Sequence, residues 1–409
     1  MTPSLSRDRP SATPFPEIIV LALLPALALA TSDVLDVDAQ NGPYVDIFPA
    51  VAAAQPGDVV RVAPGSYGFF GVFGKSLTVV ASGGPGSVAV QGAIRIQALA
   101  ADDRVLLSGI SAEGASGSGD GGLIVADCTG SVRVQDGTFG SGETAAVSIL
   151  RCDDVALDGV FATGGSLPIF GGRWGQPGLY VEDTALTLTG CDVRGGPTSA
   201  QTYTGASGVL ARRSDLYVAS SRAEGGQGGP DNWNFGTQIC QPSGDGGPGV
   251  QVDTCNLRSL DNVFAGGLPG PPYDLCAVGV KGPDVLAGGS TVTDLPGLAP
   301  RFDLDDLVVG GAPVALTATG ETQDVILIAL GPAPGRTTVP AQIGDLLVGG
   351  SAGTIRRAFL GTGSVSTTLT APPLPPLGIE SLFLQTVHVR AGGLVFGPAR
   401  TLTVLGSGW

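Results

Sequence analysis

The chain has 409 residues and a formal net charge of −15. This acidity excludes nucleic acid as a natural partner and disfavours an extended polyanion such as pectate unless calcium bridges the contact, because like charges repel. A neutral polysaccharide, or no ligand, is left open. Glycine (66) and proline (31) are abundant, but 43% of the residues are apolar, so we expect many short strands separated by turns and not a disordered chain.

The N-terminus has the layout of a secretory signal peptide. Arg7 and Arg9 precede the apolar run Ile18–Ala30, which ends in an Ala-Leu-Ala site. The run is shorter than the roughly 20 residues that a membrane-spanning helix needs. No second run of spanning length follows, so the sequence predicts a secreted or cell-surface protein, cleaved near Ala30, whose six cysteines can form disulfides.

An internal repeat dominates the middle of the chain. Five segments share one pattern of alternating apolar residues, and each is followed by a second short strand: 122–129, 146–153, 178–185, 208–215 and 249–256. Four of them then close on a pair of glycines, and insertions of varying length follow those pairs. A constant repeat with insertions at one corner predicts a solenoid of short strands, with a β-sandwich as the alternative.

The segment Ala50–Tyr67 contains a short helical turn, a Pro-Gly-Asp and an alternating strand. It resembles the entry cap of the pectin-lyase-like right-handed parallel β-helix superfamily, in which a helix covers the open end of the first coil. The resemblance implies an all-β protein with a right-handed parallel β-helix over residues 31–305, after a signal peptide at 1–30. New strand-like runs after Leu307 predict a C-terminal β-sandwich-like domain over residues 306–409.

The repeat alignment stacks charged residues of alternating sign. Asp127, Arg151, Asp183 and Arg213 share one position, and one position earlier the same alternation is found in Glu182, Arg212 and Asp253. Alternation neutralises charge, so we interpret these columns as a ladder of surface ion pairs. The alternative is a carboxylate and arginine site, which resembles the arrangement in pectate-lyase-like enzymes.

Catalytic motifs of the superfamily are mostly missing. Its polygalacturonase-like hydrolases carry Asn-Thr-Asp, Asp-Asp and Gly-His-Gly motifs, whereas this chain has no Asn-Thr-Asp and its one histidine is His388, beyond the predicted β-helix. We therefore predict a structural or carbohydrate-binding role without dedicated catalysis. The alternative is a polysaccharide lyase or glycoside hydrolase acting in a groove along the β-helix, for which the weak catalytic candidates are Asp153, Asp154, Glu182, Asp183, Arg212 and Arg213.

The insertions concentrate aromatic, amide and acidic side chains. This combination suits sugar rings, which offer apolar faces and polar edges. The alternative is that the aromatic rings pack the insertions against the β-helix. The predicted ligand-binding residues are Trp174, Tyr203, Asp231, Asn232, Trp233, Asn234 and Tyr273.

The six cysteines lie in the predicted coils and in the insertions. Cys240 and Cys276 lie in consecutive insertions and are predicted to form a disulfide, whereas Cys128 and Cys152 share a stacked position as a bridge or as free thiols. No spacing typical of a zinc or redox site occurs. Two Gly-Asp-Gly-Gly sequences, at 119–122 and 244–247, could bind calcium but are read as turns. We predict no cofactor, with calcium as the alternative, and the sequence does not define an oligomeric state.

Overall fold

The computed structural model describes residues 32–409, apart from residues 116, 118, 170–171, 200–202, 235–238, 273–275, 340–341, 350–357 and 391. The predicted signal peptide therefore lies outside the described residues. The described part contains one helix and 34 strands, and most of these strands form three parallel sheets that wind into a solenoid. The predicted fold class, a parallel β-helix followed by a smaller β-domain, is confirmed. Among the described residues no helix is long and apolar enough to cross a membrane.

One parallel sheet runs the whole length of the solenoid. We call it the docked sheet, because the C-terminal domain covers the outer face of its middle strands. Its strands are β1 (Val34–Val37), β2 (Val59–Val62), β4 (Leu77–Ala81), β6 (Arg104–Ser108), the second halves of β8 (Leu123–Gln135) and β10 (Val147–Asp158), β15 (Ala185–Thr189), β18 (Asp215–Ala219), β23 (Asn256–Leu260) and β26 (Thr291–Leu295).

The other two sheets complete each coil. The open sheet consists of the second halves of β3 (Gly65–Phe73) and β5 (Val88–Gln97), the first halves of β8 and β10, and β14 (Leu179–Glu182), β17 (Val209–Arg212), β22 (Val250–Asp253) and β25 (Val285–Gly288). The third sheet consists of the first halves of β3 and β5, and β7 (Ile110–Gly114), β9 (Thr138–Ser141), β11 (Phe161–Thr163), β16 (Asp192–Arg194), β19 (Arg222–Glu224) and β24 (Val263–Ala265).

The register of the five repeated segments is the predicted one. Val147 pairs with Leu123 on one side and with Leu179 on the other, and these three side chains are fully buried. Stacking identical positions in successive coils gives one continuous apolar core inside the solenoid. The structure adds coils that the repeat alignment missed, which contribute β3, β5 and β25 to the open sheet.

The corner between the open sheet and the docked sheet turns on one left-handed residue per coil. Asp127, Arg151, Asp183 and Arg213 have φ angles of 46 to 56°. This conformation disfavours branched and bulky side chains but points each charged side chain out into solvent. The predicted charge column is therefore the corner itself.

A helix covers the first coil. Helix α1 (Ile47–Ala53) buries Ile47, Ala50 and Val51 against the core and is capped at its start by Asp46, whose side chain accepts a hydrogen bond from the Ile47 amide. The Lys75 ammonium group donates to carbonyls of the last turn at 2.6 Å. The helix begins three residues before the segment from which it was predicted.

The insertions after the third sheet form a packed layer. We call this the glycine layer; it comprises residues 164–165, 175–178, 195–198, 205–208, 225–229, 243–249, 266–270 and 279–283. The amides of Gly244 and Gly247 donate to the carbonyls of Gly229 and Gly226 at 2.8 Å. Further donors three residues apart are Gly205 with Gly208, Gly267 with Gly270, and Ser243 with Gly246.

A three-residue step in hydrogen bonding is the repeat of the polyproline II helix. The insertions are therefore extended helices of this type that bond laterally to one another. Glycine is required by close approach, since a Cβ atom on Gly226 would lie 2.0 Å from the carbonyl oxygen of Gly196, and one on Gly247 would lie 2.1 Å from that of Ala206. The sequence predicted loops here; the structure places an ordered, glycine-rich slab beside the solenoid.

Two short hairpins project from the glycine layer. They are β12 (Ser166–Ile169) with β13 (Gly172–Gly175), and β20 (Asn232–Asn234) with β21 (Ile239–Gln241). The C-terminal domain is a mainly antiparallel six-stranded sheet flanked by a two-stranded one. Its strands are β27 (Arg301–Leu304), β28 (Leu307–Val309), β29 (Pro313–Gly331), β30 (Ala333–Thr338), β31 (Asp345–Gly349), β32 (Ala358–Thr370), β33 (Ile379–Arg390) and β34 (Gly393–Leu405).

Buried ion pairs join the C-terminal domain to the docked sheet. The Arg400 guanidinium contacts the carboxylates of Asp136 and Asp158 from the β-helix. Farther along, Asp345 binds Arg258 at 3.0 Å and Arg336 at 2.9 Å. Side chains of the docked sheet that would otherwise face solvent are therefore buried, and the domain leaves the open sheet uncovered.

Candidate ligand-binding site

The outer ends of the glycine layer bring residues from different insertions together. Trp174 in β13 and Tyr203 in the next insertion are in contact, with ring centroids 5.3 Å apart and planes tilted by 60°. Both rings stay exposed, Trp174 by 42% and Tyr203 by 47%, and Leu167, which lies opposite Trp174 in the hairpin, is 37% exposed. We call these three side chains the aromatic tip.

Backbone hydrogen bonds hold the aromatic tip. Thr198 accepts from the Gly175 amide at 2.9 Å through its hydroxyl, which also donates to the Arg173 carbonyl at 3.0 Å. The Tyr203 carbonyl accepts from the Gly229 amide at 2.8 Å in the following insertion. Both anchors use backbone or hydroxyl groups, so the aromatic rings are not needed to fix the insertions.

Other predicted ligand-binding residues are only partly placed. Trp233 lies in β20 opposite Cys240, but the side chains of Asn232, Trp233 and Asn234 lie outside the described residues, as does Tyr273. Asp231 is buried, so its carboxylate is not part of an exposed surface.

A disulfide joins two neighbouring insertions. Cys240 in β21 and Cys276 are bonded, as predicted, with their Cα atoms 5.4 Å apart. The link connects the two insertions that follow those carrying Trp174 and Tyr203.

The remaining four cysteines are free buried thiols. Cys128 and Cys152 pair in register on adjacent coils and are hydrogen-bonded, which settles the stacked pair as thiols and not a bridge. The hydrogen bond to Cys128, followed by burial, raises the pKa of Cys152, and burial raises that of Cys191 to about 12. Burial also raises the pKa of Cys255, so Cys152, Cys191 and Cys255 stay uncharged at neutral pH, whereas the hydrogen bond with Cys152 lowers the pKa of Cys128.

The charge column forms real ion pairs. Arg151 binds Asp127 at 2.6 Å, and Arg213 binds Asp183 at 2.8 Å while also contacting Glu182. Hydrogen bonds from Arg151 and Arg213 lower the pKa of Asp127 and Asp183 respectively.

Glu182 is also an ionised carboxylate bound by hydrogen-bond donors of the open sheet and the charge column. Hydrogen bonds from Tyr180 and then from Arg213 hold its pKa below the ordinary value. Arg212 pairs in register with Glu182 and Asp253 in the adjacent strands. Carboxylates with lowered pKa values stay ionised at neutral pH, so they cannot donate the proton that a general acid supplies.

The two remaining catalytic candidates, Asp153 and Asp154, differ in their surroundings. Asp153 is exposed, whereas Asp154 is buried beneath the C-terminal domain and binds Arg133 at 2.6 Å and the hydroxyl of Ser131 at 2.6 Å. Burial alone would raise the pKa of Asp154, but the charge of Arg133 and the hydrogen bonds from Arg133 and Ser131 together lower it. Asp154 is buried, whereas Asp153, Asp183, Arg212 and Arg213 are exposed.

The two acidic turns considered for calcium have protein partners. Asp120 binds Arg95 at 2.6 Å, and Asp245 accepts from the Val280 amide at 2.8 Å within the glycine layer. Among the described residues no group of three or more histidine, cysteine, aspartate or glutamate side chains is close enough to hold a metal ion.

Leu167 and Thr198 are members of this site that the sequence did not identify. Leu167 lies two residues after Gly165, the second glycine of a pair, and Thr198 lies three residues after Gly195. The pattern that orders the insertions carrying both residues is the three-residue spacing of hydrogen bonds between neighbouring insertions. That pattern appears in the structure and not within any one segment of the sequence.

No protein-family model and no curated protein matches the chain. Solved structures with some similarity include ORF18 of Geobacillus virus E2 (11% identity, 91% of this chain and 76% of that chain, TM-score 0.32) and the enzymatically active domain of tailspike protein 2 of bacteriophage CBA120 (10% identity, 93% and 77%, TM-score 0.26). A superoxide reductase (neelaredoxin) from Ignicoccus hospitalis matches 26% of this chain and 80% of its own at 14% identity and TM-score 0.16. These low scores support no statement about function.

Proposed function

We propose that the protein is an exported, non-catalytic carbohydrate-binding β-helix protein whose aromatic tip contacts a neutral glycan. The proposal rests on the pair Trp174 and Tyr203, which two separate insertions hold in contact with both rings exposed. Aromatic faces bind the apolar face of a sugar ring, and adjacent polar groups bind its hydroxyls.

The alternative role of these rings, packing the insertions in place, has less support. Thr198 and the glycine layer already anchor the insertions through hydrogen bonds, and two-fifths or more of each aromatic side chain stays in solvent. A preordered site also lowers the entropic cost of binding, because the rings do not have to be fixed by the ligand.

Charge favours a neutral ligand. The net charge is −15, and the arginines of the charge column are already bound to carboxylates. An anionic polysaccharide would therefore meet repulsion without a free cationic column to offset it. Export follows from the predicted signal peptide, and a glycan of the cell surface or the extracellular space would be accessible to an exported protein.

The test is affinity electrophoresis against a panel of neutral and acidic polysaccharides. We expect retardation by at least one neutral polysaccharide and by none of the acidic ones. Trp174→Ala combined with Tyr203→Ala should weaken that binding roughly tenfold or more, about 1.4 kcal/mol for each factor of ten.

A matched control lies at the other end of the molecule. Phe48 and Phe69 are also an exposed aromatic pair, with centroids 6.2 Å apart, on the N-terminal cap and first coil. Replacing both with alanine should leave glycan binding unchanged. Equal losses in the two double variants, or unchanged binding in the Trp174 and Tyr203 variant, would refute the aromatic tip as the binding site.

A further inference from the structure

The two ends of the β-helix differ. At the N-terminal end helix α1 covers the first coil. At the C-terminal end β25 and β26 are the last strands, and within the described part of the chain each is paired on one side only, with β22 and β23. Residues 277–298, which contain these strands, are an uncapped end; 17 of these 22 residues are exposed.

This uncapped end is apolar. Val292 continues the interior stack of Leu257, yet its side chain is exposed, as is that of Leu286 in β25. Sixteen large hydrophobic side chains are exposed among the described residues, and seven of them lie between residues 263 and 298: Val263, Leu268, Val278, Val280, Leu286, Val292 and Leu298. Elsewhere in the solenoid the equivalent interior positions are buried.

The usual protections of a strand edge are missing. Edge strands normally carry lysine, proline or inward-pointing charges that block pairing with another chain. Neither β25 nor β26 contains lysine or proline. Lys281 and Asp284 neutralise each other at 2.9 Å, which leaves Asp294 as the one charged side chain of residues 277–298 outside an ion pair.

We propose that the uncapped end is the interface of a two-fold symmetric homodimer. Its 22 residues match the roughly 20–30 residues per partner of a stable protein interface. Head-to-tail stacking into a filament is blocked, because α1 covers the opposite end, so the two copies meet through the same surface.

The edge of β26 is compatible with this symmetry. An antiparallel pairing of two copies centred on Thr293 places Asp294 opposite Val292 of the second copy and not opposite another Asp294. The like charges are thereby kept apart, the free backbone groups of both edges are paired, and the exposed ends of both cores are covered.

Sedimentation-velocity ultracentrifugation of the purified protein over a range of concentrations tests the proposal. The expected result is a dimer that Leu286→Lys with Val292→Lys converts to a monomer. Phe69→Lys, which adds one lysine at an exposed apolar position on the capped end and so matches Leu286→Lys alone, should remain dimeric. Circular dichroism establishes that each variant is folded.

Three results would overturn the proposal. They are a monomeric wild type at tens of micromolar, a dimer that survives both lysine substitutions in a folded variant, and a concentration-dependent series of larger species. If the double variant does not fold, Leu286→Lys alone is measured by the same method. This variant should fold, because Leu286 lies outside the interior stack. It should weaken the dimer at least tenfold.

Discussion

Gly226→Ala is expected to destabilise the protein strongly, although the change adds a single methyl group. The new Cβ atom would lie 2.0 Å from the Gly196 carbonyl oxygen, so a backbone segment must move by about 1 Å to restore contact distance. That movement strains the bonds of Gly226 with Ala206 at 2.7 Å and with Gly247 at 2.8 Å. Overpacking of about 1–3 kcal/mol and two disrupted hydrogen bonds of ~1 kcal/mol each give ~3–5 kcal/mol.

The assay is calorimetric unfolding, with Gly392→Ala as the matched control. No heavy atom lies within 4 Å of a Cβ built on Gly392, so that variant should be neutral or slightly more stable. Gly226→Ala should lower the unfolding temperature by about 5 °C or more. An unfolding temperature within about 1 °C of that of Gly392→Ala would refute the close packing of the glycine layer.

Two further predictions concern the buried ion pairs and the disulfide. Burial raises the pKa of Asp158 and of Asp306 to about 6 despite the charge of Arg400. Because the folded protein binds these two protons more tightly than the unfolded chain does, protonation of the two carboxyls stabilises the fold. This contribution is complete at low pH and is lost as the pH rises through about 6. Arg400→Leu should cost ~3–5 kcal/mol at pH 8 and clearly less at pH 5, where both carboxyls take up protons, and equal losses in unfolding temperature at the two pH values would contradict this. Replacing Cys240 and Cys276 with serine should lower the unfolding temperature, because the bond restricts the unfolded chain, while glycan retardation persists, since Thr198 and the glycine layer hold the aromatic tip; abolished binding in the folded variant would contradict this.

The solenoid could be predicted because the apolar pattern that forms each coil is repeated in the sequence. Each coil needs inward apolar residues at fixed spacing, and the pairing of Val147 with Leu123 and Leu179 follows directly from that spacing. The coils that were missed turn on residues without the charged pattern, such as Ala98 and Gly289 at the same left-handed corner. In β3 and β5 a register shift also interrupts the repeat.

The glycine layer and the docking of the C-terminal domain could not be predicted in the same way. A polyproline II segment has no internal hydrogen bonds and, when built of glycine, no side-chain pattern, so its order exists only between segments. Arg133 and Arg400 look like ordinary surface residues in the sequence. Their burial depends on which sheet the second domain covers, and that is decided by contacts between distant parts of the chain.

The aromatic tip could be predicted only in part from the sequence. Trp174 and Tyr203 were singled out because aromatic residues are scarce and concentrated in the insertions. Their contact depends on Thr198 and on the pairing of successive insertions, which no local pattern specifies.

Hydrogen–deuterium exchange, with and without the neutral polysaccharide that retards the protein, tests the central claim that an ordered glycine layer presents a binding tip. The amides of Gly226, Gly247 and Gly267 should be protected like those of the sheets, although they lie outside any strand. Adding the polysaccharide should then slow exchange around Trp174 and Tyr203 and leave the docked sheet unchanged. Exchange of these glycine amides within seconds, or ligand protection confined to other regions, would contradict the account.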